Sequence, residues 1–200
     1  MLTLAQLNEL EMRQLKRERE TTDPDPEMWR WSPVDIRHFD EMLGIALQLA
    51  ADMLPVATPV RTLSIAEAGA GIGTKLYLAK HKYELTEMGY EINPEYIRQA
   101  RELGVEIEMR DLRDLDNQPP WGAFDIVYYS LPFKSDIFEA RWERQLQADM
   151  RPGAVLIAAH PGVKPYGWTC FYRRPFRGVW VKPDLVDEPL LTALGQRSTV

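Results

Sequence analysis

An acid and three glycines follow one another at alternate positions in SIAEAGAGIGTKLYLAK, residues 64–80: Glu67, Gly69, Gly71 and Gly73. Glycine permits a positive φ and removes the Cβ, so a ligand can touch the main chain of a tight strand-to-helix turn. The helix that follows would direct its N–H groups and its positive dipole end to the same place. The stretch therefore predicts a site for a ligand with an anionic group. A purely structural turn is the alternative, but three glycines are more than such a turn requires.

A second acid, Glu91, lies eighteen residues after Gly73 in EMGYEINPEYIRQAR. An acid at the end of a strand in this place can accept hydrogen bonds from the two hydroxyls of a ribose. Asn93 and Pro94 follow it and open a predicted helix, where the helix dipole would also favour an acid. Both interpretations of Glu91 stay open on these residues alone.

The spacing of the glycines distinguishes two classes of nucleoside site. The nicotinamide fingerprint has glycine at the first, third and sixth positions of its loop. Position 74, which would be the sixth, is Thr. A nicotinamide-dependent Rossmann enzyme is therefore the weaker alternative.

Short apolar stretches and helical patterns alternate along the chain and would position these residues. Apolar residues at helical spacing predict helices over residues 3–20 and 33–54. Helical patterns also separate the first three and the last two of five predicted strands. These strands are RTLSIAEA, YELTEMGYEI, VEIEMRD, FDIVYYS and GAVLIAA. The alternation predicts an α/β fold, a three-layer Rossmann-like sandwich with a mostly parallel central sheet, in which ligands lie beyond the carboxyl ends of the strands.

The C-terminal part of the chain departs from this alternation. Only HPGVKPYG separates the fifth strand from WTCFYRRPFRGVWVKP, whereas a crossover needs about 10–12 residues or more. We therefore predict a hairpin with strands near residues 168–173 and 178–182, antiparallel to at least one neighbour. The predicted organisation is an N-terminal helical extension over residues 1–58, a cofactor-binding domain over 59–182 and a tail over 183–200.

Composition narrows the class of protein. A net charge of −6 argues against non-specific binding to nucleic acid over the whole surface. The charged N-terminus is unlike a signal peptide, and no stretch has the length of a membrane span, so we expect a cytoplasmic protein. The single cysteine, Cys170, has no partner for a disulfide and lacks the spaced ligands of a metal site. We predict that it is buried and that the chain holds no metal.

The stretch IAEAGAGIG resembles the first motif of the class I S-adenosylmethionine-dependent methyltransferases, an acid two residues before a G-x-G-x-G loop. The resemblance covers roughly residues 60–160 and implies S-adenosylmethionine as the cofactor. It implies that the glycines contact the methionyl part, that Glu67 lies near the amino group and that Glu91 binds the ribose. The residues implied around the adenine are Asp111, at its amino group, and Ile92 and Leu112, on either side of the ring. The alternative for Asp111 is a loop acid beside Arg110 and Arg113.

The fourth predicted strand ends in Ser130, Leu131, Pro132 and Phe133. This motif is similar to the Asn-Leu-Pro-Tyr of the rRNA adenine dimethyltransferases, which implies transfer to an amine. A side-chain oxygen and a proline-fixed carbonyl can accept hydrogen bonds from an amine, while an aromatic ring stacks on a planar substrate. Ser replaces Asn here, and an ordinary strand end with a turn proline is the alternative.

The predicted hairpin region is basic and contains aromatic residues. Basic and aromatic side chains together are how single-stranded nucleic acid is held, and a charge-protected sheet edge with inward aromatics is the alternative. Its cations are Lys164, Arg173, Arg174, Arg177 and Lys182. The sequence therefore favours a methyltransferase that acts on an amine of a small molecule or of a nucleic acid held by Arg173, Arg174 and Arg177. A cofactor-binding module without turnover is the alternative from another class.

Overall fold

The computed structural model describes residues 1–20, 34–52, 62–130, 133, 135–159, 165, 167–174 and 177–183. The helices within these residues are α1 (Leu4–Glu20), α2 (Ile36–Asp52), α3 (Thr74–Tyr83), α4 (Pro94–Glu102) and α5 (Asp136–Asp149), with a short 3-10 helix at Trp121–Ala123. The strands are β1 (Ser64–Ala68), β2 (Thr86–Glu91), β3 (Ile107–Met109), β4 (Ile126–Ser130), β5 (Val155–Ala159), β6 (Thr169–Arg174) and β7 (Arg177–Val181).

The strands form one seven-stranded sheet in the order β3-β2-β1-β4-β5-β7-β6. Strands β1 to β5 are parallel, and β7 runs antiparallel to both β5 and β6. This confirms the predicted α/β fold with a mostly parallel sheet and an antiparallel C-terminal hairpin. Because the order reverses between β1 and β4, the carboxyl ends of these two strands border the crevice in which such sheets bind ligands.

Two hydrophobic cores lie on the two faces of the sheet. Strand β4 shows the alternation directly, since Tyr128 belongs to one core and Tyr129 to the other. The first core is covered by α1 to α4, and the second by α5 and the 3-10 helix. Strand β5 is buried along its whole length, as expected for a parallel strand with helices on both faces.

Helix α1 packs on the core of its own chain. Leu7 is fully buried against that core, and the backbone N–H of Leu2 donates to the hydroxyl of Tyr77 on α3 at 2.9 Å. Helix α2 contributes Ile36, Phe39 and other apolar side chains to the same core. The two predicted N-terminal helices are thus confirmed, and both cover the face of the sheet on which the glycine loop leads into α3.

Side chains at helix starts explain where α4 and α5 begin. Asn93 precedes α4 and accepts a hydrogen bond from the N–H of Glu95 at 2.9 Å, with Pro94 as the first helical residue. Ser135 precedes α5 and accepts from the N–H of Phe138 at 3.3 Å. Both are polar residues that satisfy otherwise unpaired first-turn donors.

The prediction that Cys170 is buried is wrong. Cys170 is exposed, and its thiol lies 3.4 Å from the carbonyl oxygen of Tyr172. The reason is the period of two in an edge strand: β6 turns Phe171 into the core, so Cys170 falls on the solvent side.

The predicted domain boundaries fall at the limits of the described residues. The first boundary lies within residues 53–61, and nearly all of the predicted tail consists of residues 184–200. Both segments lie outside the described part of the chain. The three-part division therefore stays a prediction. None of the helices described is long and apolar enough to cross a membrane.

Candidate functional site

The glycine loop joins β1 to α3 at the carboxyl edge of the sheet. Gly69, Gly71 and Gly73 all have positive φ, at 69°, 54° and 75°. A residue with a Cβ is strained in this left-handed region, so the repeated glycine is a requirement of the backbone path. The carbonyl of Tyr90 on β2 accepts from the N–H groups of Gly69 and Ala70 at 2.9 and 3.0 Å. The loop is thereby fastened to the end of the neighbouring strand.

Glu91, the last residue of β2, holds the loop in a second way. Its Oε2 accepts from the N–H of Gly71 at 2.8 Å, and its Oε1 accepts from Ile92 and Asn93 at 2.8 and 2.9 Å. Burial raises the pKa of Glu91, these three N–H donors oppose the rise, and the charge of Glu18 on α1 adds to it. Glu91 therefore braces the glycine loop, and its predicted contact with a ribose stays a prediction.

Glu67 lies on β1 directly before the loop and is buried. Its Oε2 has no hydrogen-bond partner in the part of the chain that the structure describes. Burial raises the pKa of Glu67 well above its usual range; the charge of Lys75 opposes this, and the charges of Glu11 and Glu91 add to it. A buried carboxylate with an unpaired oxygen favours either a proton or a cationic ligand.

Helix α1 adds a residue that the sequence did not indicate as part of the site. Glu11 is 1% exposed, and its Oε1 accepts from the Thr74 hydroxyl and, at 2.5 Å, from the Lys75 ammonium at the start of α3. The signal was present in the spacing, because Glu11 continues the inward stripe of Leu4 and Leu7. An acid in an apolar stripe is a buried charge that needs a partner.

Asp111, just beyond the end of β3, pairs with Arg113. The Arg113 side chain donates to Asp111 at 2.9 Å, and the Arg113 backbone N–H donates at 2.9 Å as well. The Arg113 guanidinium lowers the pKa of Asp111. Asp111 therefore has the contacts of a loop acid. Leu112 is buried and Ile92 is half-buried, and the adenine contacts of all three stay predictions.

Ser130 ends β4 at the same sheet edge and is half-buried. Phe133 is 3% exposed, with its ring 4.8 Å from that of Phe138 and 5.5 Å from that of Trp142, both edge-on. A stacking face for a planar acceptor is therefore not available from Phe133 in this conformation, and its role toward the acceptor stays a prediction. Pro132 lies outside the described residues.

Tyr128, on β4, interacts with the acids near the glycine loop and with Ser130 at the end of its own strand. Burial raises the pKa of the Tyr128 hydroxyl well above its usual range, and the charges of Glu67 and Glu11 add to the effect. The Ser130 hydroxyl and the charge of Arg177 oppose it. Tyr128 thus lies within electrostatic reach of the acids beside the glycine loop and of the serine at the end of β4.

The described cations of the hairpin lie at both ends of the sheet, and Lys164 lies outside the described residues. Arg177 pairs with Ala159 at the carboxyl end of β5 and with Arg174 on β6, which places both arginines at the edge where Ser130 lies. Lys182 lies at the opposite end and donates to the carbonyls of residues 147, 148 and 150 that close α5. Phe171 and Trp180 are buried. The inward aromatics favour the edge-protection interpretation, while Arg173 and Arg174 remain exposed.

Neither a protein-family model nor a curated protein matches this chain. An RNA methyltransferase from Salinibacter ruber, solved in complex with S-adenosyl-L-homocysteine, is 19% identical and has a TM-score of 0.56 over 80% of this chain and 99% of that one. TrmN from Thermus thermophilus is 16% identical, with a TM-score of 0.52 over 74% of this chain and 48% of that one. The chain shares its fold with these two proteins, and this fold is the Rossmann-like α/β sandwich that the sequence predicted.

Substitution of Glu91→Ala tests its bracing role. The change leaves the buried N–H of Gly71 and the partly buried N–H groups of Ile92 and Asn93 without their acceptor. We therefore expect the free energy of unfolding to fall by about 1–3 kcal/mol. Urea denaturation measures it. Glu106→Ala, at an exposed acid in the same half of the sheet, is the matched control. A Glu91→Ala protein as stable as the control would show that the loop does not depend on this carboxylate.

Proposed function

We propose that the chain is an S-adenosylmethionine-dependent methyltransferase that binds its cofactor at the carboxyl edge of β1 and β2. The observation that carries this proposal is the loop of three positive-φ glycines, which leads into the start of α3 between the buried acids Glu67 and Glu91. The fold shared with the RNA methyltransferase from Salinibacter ruber supports it, since that protein was solved with the demethylated cofactor.

The residues at this edge fit the cofactor on their own chemistry. The unpartnered Oε2 of Glu67 is an acceptor suited to an ammonium group. Glu91 already takes three N–H bonds, and a carboxylate offers about four lone-pair positions. It therefore has room for one ribose hydroxyl while it still holds the loop. Asp111, Ile92 and Leu112 would line the adenine side, with Asp111 held in place by Arg113.

The bound cofactor would supply an electrophilic methyl group on a sulfonium centre. The task of the chain is then to hold an acceptor nitrogen in line with that methyl, since positioning supplies much of the rate of such a transfer. We assign this task to Ser130, and the support for it is that its strand ends beside β1 at the proposed ligand edge. Its hydroxyl can accept a hydrogen bond from an amine and so orient the nitrogen lone pair.

We propose an amine of a nucleic-acid base or of a small molecule as the acceptor. The Ser130 motif supports the amine, and the exposed Arg173 and Arg174 near the same edge support a phosphate-bearing acceptor. The second candidate is a module that binds the cofactor without turnover. Phe133 supports that candidate, because its burial removes the expected stacking face.

The first test compares cofactors. We expect isothermal titration calorimetry to detect binding of S-adenosylmethionine and competition to show that it is preferred to NAD, because Thr74 stands where the nicotinamide fingerprint needs glycine. NAD that binds equally well or more tightly would overturn the proposed cofactor. Product formation in a methyl-transfer screen against nucleic acid, protein and small amines then separates the enzyme from the module without turnover.

The second test concerns Ser130 and uses the acceptor found in that screen. Ser130→Ala should lower kcat by about tenfold and leave the cofactor Kd within twofold, because the hydroxyl would act on the reacting nitrogen in the transition state. Thr86→Ala is the control, since Thr86 is an exposed hydroxyl residue at the opposite end of the sheet. Unchanged kcat in Ser130→Ala would remove the amine-orienting role.

The third test concerns the arginines of the hairpin. If the acceptor is a nucleic acid, Arg173→Glu with Arg174→Glu should weaken its binding and reduce the salt slope by about one for each lost phosphate contact. The control carries the same charge change on the far side of the sheet, at the exposed Arg141 and Arg144 of α5. Equal salt slopes in the two variants would argue for an acceptor that does not use the hairpin.

A further inference from the structure

Three buried polar atoms from different elements lie without hydrogen-bond partners beside the glycine loop. They are Oε2 of Glu11 on α1, Oε2 of Glu67 on β1 and the hydroxyl oxygen of Tyr128 on β4. None makes a hydrogen bond of normal geometry within the described ranges, and the Ser130 hydroxyl is a polar neighbour of the Tyr128 hydroxyl. Each of the three residues is at least nine-tenths buried. Buried polar atoms are rarely left unpaired in folded proteins, so a group of three calls for an explanation.

These three residues belong to one neighbourhood. Glu67 and Tyr128 are direct cross-strand partners on β1 and β4, and the charge of Glu11 contributes to the raised pKa of both. Glu11 is held in this position by its other carboxylate oxygen, which contacts Thr74 and Lys75. That anchoring fixes the carboxylate of α1 at the start of α3 and leaves Oε2 as its unpaired atom.

The neighbourhood carries more negative than positive charge. The carboxylates of Glu11, Glu67 and Glu91 interact with one another, and Lys75 is the cation that acts on Glu67. Burial of unpaired carboxylates is costly unless a proton or a cation joins them. The His, Cys, Asp and Glu side chains described here form no group of three or more that could hold a metal ion.

An ammonium group matches the three atoms. It has three N–H donors and one positive charge, and the cluster offers two carboxylate oxygens and one hydroxyl oxygen as acceptors. Its location adds a second constraint, because Glu67 directly precedes the glycine loop and Glu11 is bonded to the first two residues of α3. A ligand that lies along the loop would present one end to this cluster.

We propose that Glu11, Glu67 and Tyr128 together bind the α-ammonium group of the methionyl part of the cofactor, so that helix α1 forms one wall of the cofactor site. This inference rests on the proposed cofactor. It assigns a binding role to two residues outside the glycine-loop motif, Glu11 from the N-terminal helix and Tyr128 from the middle of the sheet. It also explains why an acid, Glu11, lies among the buried positions of α1.

A thermodynamic cycle between the ligand amine and Glu11 tests the proposal. Calorimetry would measure the Kd of S-adenosylhomocysteine and of its analogue without the α-amino group, for the wild-type protein and for Glu11→Gln. We expect removal of the amine to weaken binding to the wild type on the order of tenfold to hundredfold, as for a hydrogen-bonded charge. In Glu11→Gln the same removal should cost at least about fivefold less, because the coupled partner is gone.

Two further variants keep the result interpretable. Glu9→Gln is the control, because Glu9 lies on the same helix with its side chain 59% exposed, and it should behave as the wild type with both ligands. Tyr128→Phe removes the hydroxyl alone and should weaken S-adenosylhomocysteine more than the analogue; it gives the same comparison if Glu11→Gln fails to fold. Thermal unfolding without ligand establishes that each variant is folded.

The outcomes separate the inference from the function on which it rests. An equal cost of amine removal in the wild type and in both variants would overturn the ammonium site and leave the cofactor proposal standing. Tighter binding of S-adenosylhomocysteine to Glu11→Gln would also overturn it, since Glu11 would then compete with the ligand. A wild-type protein that binds neither ligand would overturn the proposed function, and the ammonium site with it.

Discussion

Burial of negative charge at one edge of the sheet is the constraint on which this structure depends. Glu91 is buried because the glycine loop needs an acceptor for the N–H of Gly71, and its carboxylate is offset by three backbone donors. Among the described residues, Oε2 of Glu67 has no donor, and Glu11 has donors on Oε1 but none on Oε2. The same edge thus contains one carboxylate satisfied by the fold and two that the fold leaves partly unsatisfied. An incomplete balance of this kind is typical of a binding site, because a ligand can complete it.

The parts that followed from the sequence are those set by local patterns. Each of the five strands predicted for the parallel sheet contains its observed strand, because short apolar runs between turn residues suit buried parallel strands. The hairpin followed from a segment too short for a crossover. The loop was predictable for a different reason: Glu67 and the three glycines lie at alternate positions within residues 67–73, so one short stretch of sequence contains the whole turn. The sequence identified the acids at the strand ends, but it did not predict which groups each acid contacts.

The features that could not be predicted from the sequence depend on contacts between elements that are distant in the chain. Glu11 reaches the start of α3 across 63 positions, and no local pattern reports which strand end a helix will cover. Cys170 turned outward because β6 is an edge strand with one buried face, which depends on the sheet order. Phe133 follows a strand that is buried on both sides, so its direction is decided by the space beside Trp142. In each case the deciding contact is with a residue that is distant in the sequence. Residue type alone therefore does not predict the burial or the partners of the side chain.

Strand periodicity limits the directions from which the proposed acceptor could approach the proposed cofactor site. Tyr128 and Ser130 share one face of β4, the face covered by α1 to α4, whereas Phe133 belongs to the core under α5. An acceptor that contacts Ser130 therefore approaches from the side of the glycine loop and of Arg177, not through the aromatic cluster around Trp142. Recognition of that acceptor then falls to polar and cationic groups. The buried ring of Phe133 would instead support the end of β4 from behind, which keeps Ser130 at a fixed place on the sheet edge.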